Sequence, residues 1–146
     1  MRQGLKISYY KNLLLSMNVA RAHGQINIAK PIMMLAVIQC IENGSIIANR
    51  ILYSESLITT YNELFSHYSK GDITLSVYPF YYLGSEDFYF IKGKKAPTTP
   101  SAKFLRENVE YACLDDDLWE LLQNPETRNE FKDAIIQHFI NRERKI

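Results

Sequence analysis

Ser76-Val77-Tyr78-Pro79-Phe80-Tyr81-Tyr82-Leu83 sets one proline among aromatics beside a small hydroxyl residue. Aromatic and β-branched side chains favour a pleated surface, so residues 77–83 read as a strand. The proline stands near its entrance, where a missing ladder donor is tolerated and the ring remains a rigid apolar face. A second aromatic run, 88–92, follows Gly84-Ser85-Glu86-Asp87, a composition suited to a hairpin turn. The pair predicts an antiparallel wing whose aromatic face is a binding surface with no catalytic centre.

Helical patterns flank the wing. Residues 5–17 carry apolar side chains at 5, 9, 13 and 17, and Lys30-Pro31 opens a second helix that Asn43-Gly44 stops. Between them, residues 18–29 have no steady period and read as an exposed connection able to carry function. Residues 46–53 suggest a short strand. Ser54 then caps a helix reaching residue 68, with Leu57, Ile58, Tyr61, Leu64 and Phe65 inward. Past the wing, residues 93–100 form a basic connector containing two prolines. Helices are predicted over 101–106, 115–122 and 124–141, the last opened by Asn124-Pro125 and striped by Phe131, Ile135 and Phe139. The fold class is therefore α+β, one helical domain over 1–146 with a small antiparallel wing-like β-hairpin or sheet.

Composition narrows the function classes. A chain of 146 residues with 47% hydrophobic content builds one real core. Its longest mainly apolar run, 31–41, is broken by Gln39 and falls short of a membrane span, and the opening Met-Arg-Gln-Gly-Leu-Lys lacks a signal-peptide core, so the cytoplasm is the expected compartment. Cys40 and Cys113 sit in apolar patterns without ligand-like neighbours and read as buried free thiols. The net charge of +1 is unevenly spread: residues 1–100 hold ten Lys or Arg against six Asp or Glu, and the remainder seven against ten. That asymmetry allows a basic face toward a polyanion on the first two-thirds. The acids of 107–120 read as helix-start charge and a solvated face.

No catalytic template fits. The sequence has no phosphate-cradling glycine loop, no His pair at metal spacing and no nucleophile elbow, and His23, His67 and His138 are scattered. A binding domain is expected, with no catalytic residues, no metal and no cofactor.

The ordered set Asn18-Val19-Ala20-Arg21-Ala22-His23-Gly24, Ala29-Lys30-Pro31-Ile32-Met33-Met34-Leu35-Ala36, Gly44, Tyr78-Pro79-Phe80-Tyr81-Tyr82-Leu83 and Phe88-Tyr89-Phe90 resembles the sulfur-binding domain of McrA-like, modification-dependent restriction endonucleases. The likeness runs on through Tyr111-Ala112-Cys113-Leu114-Asp115 into the closing helix. It implies a reader of double-stranded phosphorothioate DNA, in which sulfur replaces a non-bridging backbone oxygen. Cutting in such a restriction system falls to a His-Asn-His nuclease domain or subunit.

The resemblance also assigns roles. Pro79 matches the ring that packs on sulfur, Tyr78 the neighbouring aromatic wall, and Ser76 a donor to a backbone oxygen. Lys30 matches the basic position before the helix-opening proline, and Arg21 a basic residue in the preceding loop, with His23 beside it. Lys103 and Arg106 lie near a further basic position, while Lys92, Lys94 and Lys95 are added on charge alone. Two positions depart from the pattern. Ala29 stands where many members have His, and Tyr82 stands three residues past the proline, where the best-understood pocket of the family has a small residue. Two alternatives stay open: a DNA binder without sulfur preference, and a protein-interaction module using the aromatic surface of 78–90.

Overall fold

The run Ala29–Glu42 is apolar at nearly every position, and a helix without a polar face must be buried all round. In the computed structural model of the protein, which describes residues 2–22, 25–96 and 98–141, this helix forms the centre of the molecule. Eleven of its fourteen residues are buried. In chain order the elements are α1 (Arg2–Leu15), β1 (Arg21–Ala22), β2 (Gln25–Ile26), α2 (Ala29–Glu42), α3 (Glu55–Tyr68), α4 (Val77–Tyr82), β3 (Tyr89–Gly93), α5 (Ala102–Asn108), β4 (Val109–Leu114), α6 (Asp116–Leu121) and α7 (Pro125–Ile135). A 3-10 turn, Leu83–Ser85, extends α4, and a π-helical turn, Ile136–Asn141, extends α7.

Helix α2 packs against α3, α4 and α7. The caps fall where the sequence predicts them. Ser54 Oγ accepts from Leu57 N at 3.2 Å, and Asn124 Oδ1 accepts from Glu126 N and Thr127 N at 2.9 and 3.1 Å, each satisfying orphan donors of a first turn. The stripe Phe131, Ile135 and Phe139 is buried as expected.

The α+β class holds, but the strands differ from the expectation. Residues 77–82 are helical, and the wing hairpin between 77–83 and 88–92 does not form. The inward positions explain the change. Val77, Phe80 and Leu83 are buried at three-residue spacing and Pro79 lies beside them, a helical pattern that the aromatic content of the stretch masks. Proline costs nothing at the third position of a helix, because that N–H has no intrahelical partner. Tyr89 Oη donates to Phe80 O at 2.7 Å and ties the short helix to the sheet.

Strand β3 pairs instead with β4, antiparallel, with Tyr89 opposite Leu114 and Lys92 opposite Tyr111. The register shifts between Lys92 and Gly93, a bulge at the end of the ladder. The strand expected over 46–53 reduces to one bridge, Ile51 to Ala112. Asn49 substitutes for further pairing: its amide donates to Leu114 O at 2.7 Å and accepts from Leu114 N at 2.8 Å.

The face of α1 also differs. Leu5 and Tyr9 are exposed and Leu13 is half-buried, whereas Tyr10 and Leu14 are buried; of the four expected positions only Met17 is fully inside, and the Tyr10 hydroxyl donates to Asp115 at 3.0 Å. Cys40 is buried and Cys113 half-buried, both free thiols. Burial raises the pKa of each, with Asp116 and Asp115 adding to the effect at Cys113. Among the described residues no helix is long and apolar enough to cross a membrane.

Candidate nucleic-acid interface

Helix α4 places Tyr78, Pro79 and Tyr82 on one side, since positions three and four apart share a helix face. The first turn of α2 faces them with Ala29 and Lys30, the segment 18–20 adds Asn18, Val19 and Ala20, and Asn27 and Thr74 complete the wall. These residues enclose a shallow cup of about 160 Å³. Ala29 and Pro79 are its buried members, Val19 and Tyr78 are half-buried, and Asn18, Ala20, Asn27 and Tyr82 are exposed. Apolar surface at the base and polar groups at the mouth suit a ligand atom that is polarisable on one side and charged on the other.

The loops of the cup are fixed by hydrogen bonds. Asn27 N donates to Ala20 O at 2.7 Å, and Asn27 Oδ1 accepts from Ala29 N at 2.8 Å, satisfying a first-turn donor of α2. The α2 N-terminus borders the cup, with the Ala29 N–H taken by Asn27, the Ile32 N–H by Ile28 O and no N–H at Pro31.

Lys30 brings the charge, and it carries a counter-ion. Its Nζ lies 2.8 Å from Glu86 Oε2 and 3.3 Å from Ser85 Oγ, with only 15% of the Lys30 side chain and 8% of the Glu86 side chain exposed. Glu86 Oε2 also accepts from Asn18 N at 3.0 Å, so a single carboxylate ties the segment before β1 to the α2 start. Ser85 Oγ donates to Tyr82 O at 2.9 Å. An ammonium has three donors, and two are committed to these oxygens.

The expected site residues thus divide. Lys30, Tyr78, Pro79 and Tyr82 converge on the cup from two elements nearly fifty residues apart in the chain. Arg21 is exposed on β1 and lines a neighbouring hollow of about 380 Å³ that shares Ala20, Asn27 and Thr74 with the cup. Ser76 is buried, and its hydroxyl is hydrogen-bonded to Tyr53 Oη at 2.7 Å, so it faces inward. Lys103 and Arg106 are exposed on α5 and do not line the cup. His23 lies outside the described residues. Sequence reasoning missed Val19, Asn27, Thr74 and above all Glu86, whose partner is 56 positions away and leaves no local signal. Among the described residues no group of three or more His, Cys, Asp or Glu is placed to hold a metal ion.

No protein-family model matches the chain, and no curated protein matches it in sequence. Solved structures do. A structure described as the sulfur binding domain of SprMcrA complexed with phosphorothioated DNA superposes with a TM-score of 0.65 at 16% identity, covering 91% of this chain and 85% of that one. The chain has the sulfur-binding-domain fold. A second structure, the sulfur binding domain and SRA domain of ScoMcrA complexed with phosphorothioated DNA, gives a TM-score of 0.67 at 18% identity and covers 87% of this chain. The chain spans 41% of that longer protein. Within this sulfur-binding-domain fold, the cup lies where α2 and α4 meet, and each of the sequence-expected residues that reaches it comes from one of those two helices.

Proposed function

We propose that the chain is a DNA reader that recognises a phosphorothioate in the duplex backbone, seating the sulfur in the cup formed by Pro79, Tyr78, Tyr82, Val19 and Ala29. The observation that carries this reading is the convergence of Lys30, Tyr78, Pro79 and Tyr82 on one small, mainly apolar cup. The likeness in fold to domains solved with phosphorothioated DNA supports it.

Selectivity follows from solvation. A thiophosphate keeps the negative charge of a phosphate, but its sulfur is larger, more polarisable and less strongly hydrated than oxygen. Sulfur gains dispersion contact with the Pro79 ring and the tyrosine faces, whereas an oxygen placed there loses hydration with no replacement. Lys30 faces the remaining oxygens, and Arg21 serves a flanking phosphate from the adjoining hollow. Phosphate contacts set affinity, and the cup sets the preference.

The Ala29 and Tyr82 departures shape the same cup. Ala29 contributes only a methyl group where a polar side chain is usual, and Tyr82 supplies an aromatic wall at the mouth. The domain carries no cutting chemistry of its own, and in a cytoplasmic restriction system a His-Asn-His nuclease domain or subunit acts on the DNA it marks. A competition gel-shift with matched duplexes, one bearing a single thiophosphate, tests the reading. The thiolated duplex is preferred, and Pro79→Ala loses that preference while keeping salt-sensitive binding. Equal binding of both duplexes assigns the cup to a DNA binder without sulfur preference, and no binding of either favours the protein-interaction alternative.

A further inference from the structure

Tyr82 belongs to two concavities. On one side it borders the cup, and on the other it opens a groove of about 430 Å³ between the end of α4 and β3. Phe90 and Ile91 form the strand side of this groove, and Lys94 and Lys95 stand at its far end. Tyr82 and Phe90 are 43% and 45% exposed, so the groove presents two aromatic side chains to solvent.

The two concavities differ in charge. In the cup, the one lysine is already neutralised by Glu86. The groove is lined by two lysines and no carboxylate, and among the described residues neither Lys94 nor Lys95 forms an ion pair. With Arg21, which also forms no ion pair among the described residues, these lysines put uncompensated positive charge beside the cup, displaced from its centre.

The lysines are also held in place. Gly93 ends β3 at the bulge with φ of +147°, and a Cβ there would stand 2.3 Å from Asn108 O, so only glycine lets the chain turn at this point. Immediately after it, Lys94 N donates to Asn108 O at 2.9 Å, and Ala96 N donates to Tyr81 Oη at 2.8 Å. The Tyr81 ring is itself packed against Phe104 at 6.4 Å. The backbone on both sides of Lys95 is thereby anchored, which limits the ordering entropy lost when the ammonium groups meet a ligand.

We propose that this groove is a second DNA contact, taking the strand segment that flanks the nucleotide seated in the cup, with Lys94 and Lys95 on its phosphates and Tyr82 and Phe90 against sugar and base faces. A polyanion continuous with the cup is the occupant that fits both features, because aromatic faces alone suit many partners but an acid-free basic rim selects for phosphate. The inference rests on the DNA-reading function above and adds a division of labour: the cup discriminates, and the groove supplies charge.

The test is fluorescence anisotropy of the full chain and of Lys94→Gln/Lys95→Gln on matched thiolated and unmodified duplexes across a salt series. Each phosphate contact contributes about 0.9 to the slope of log affinity against log salt on duplex DNA. The double variant is expected to lower that slope by about 1.8, weaken both duplexes by the same factor and leave their ratio unchanged. Phe90→Ala, whose side chain carries no charge, weakens both duplexes without changing the slope. An unaltered slope and affinity in the double variant would overturn the groove proposal alone, leaving the aromatic surface to a protein partner. A changed ratio would overturn it by placing these lysines at the sulfur. Failure of the wild-type chain to bind either duplex would overturn the DNA-reading function and the groove with it.

Discussion

Replacing Glu86 by Gln leaves Lys30 charged beside the cup without its counter-ion. The pair is 2.8 Å apart and both side chains are largely shielded from solvent. At an effective dielectric constant of about 20, the gross attraction is about 6 kcal/mol, most of it offset by the desolvation of the two groups. Removing one partner of a buried pair typically costs about 3–5 kcal/mol. Here the cost falls to about 2 kcal/mol, because the Gln carbonyl still accepts from Lys30 and Asn18 N, and Ser85 Oγ keeps its contact. For a domain of this size that is a fall in Tm of roughly 7 °C. Binding moves the other way. The cup gains a full positive charge, so affinity for unmodified duplex rises by roughly tenfold, equivalent to about 1.4 kcal/mol. Preference for the thiolated duplex narrows, because an uncompensated ammonium offsets the lost hydration of an ordinary phosphate oxygen. Thermal denaturation followed by anisotropy with both duplexes reads the two effects separately. A folded Glu86→Gln protein whose affinity for unmodified DNA is unchanged or lower would refute the reasoning, since Lys30 would then not face the backbone.

Other outcomes follow from single contacts. Gly93→Ala forces a Cβ onto the Asn108 carbonyl and costs at least about 2 kcal/mol in denaturant unfolding, and it displaces Lys94 and Lys95, so DNA affinity falls as well; a neutral substitution would contradict the bulge geometry. Asn124→Ala strips the cap from two N–H groups of α7 and costs about 1–2 kcal/mol, while Asn124→Asp retains most of the stability, as a urea titration of both variants would register. Burial raises the phenol pKa values of Tyr61 and Tyr89 above the ordinary value of 10.0, with Tyr53 and Cys113 respectively adding smaller effects. The folded state therefore holds protons that the unfolded chain releases, so this stability is fully present below about pH 10 and is lost as pH rises above it, by about 1.4 kcal/mol per pH unit for each phenol. In Tyr61→Phe/Tyr89→Phe the alkaline slope should flatten, and an unchanged slope would mean that neither phenol is shielded.

Local chemistry made much of the molecule legible. Ser54 and Asn124-Pro125 marked two helix starts because capping is a property of a few consecutive residues, and Lys30-Pro31 and Asn43-Gly44 bounded α2 for the same reason. The strands were less readable. A six-residue helix made of Val, Pro, Phe and three Tyr carries the composition of a strand, and only its burial against Tyr53 and Tyr89, at ring distances of 5.2 and 6.3 Å from Phe80, reveals the helical spacing. Strand β4 hid for the opposite reason: Glu110 breaks the face that Ala112 and Leu114 bury, and its partners are β3 and the distant Ile51. In the cup, Lys30, Tyr78, Pro79 and Tyr82 could be named from the resemblance. Glu86 could not, because electrostatic compensation across 56 residues exists only once α2 and α4 are packed together.

The most direct measurement of sulfur recognition compares three otherwise identical duplexes: unmodified, and carrying either of the two thiophosphate diastereomers at one linkage. The diastereomers have the same charge, composition and base sequence, and differ only in which non-bridging position the sulfur occupies. A cup on one side of the backbone, walled by Pro79, Tyr78 and Tyr82, reaches only one of those positions. One diastereomer should therefore bind more tightly than both the other and the unmodified duplex, with the advantage abolished in Pro79→Ala. Equal affinity for all three would contradict sulfur recognition by the cup.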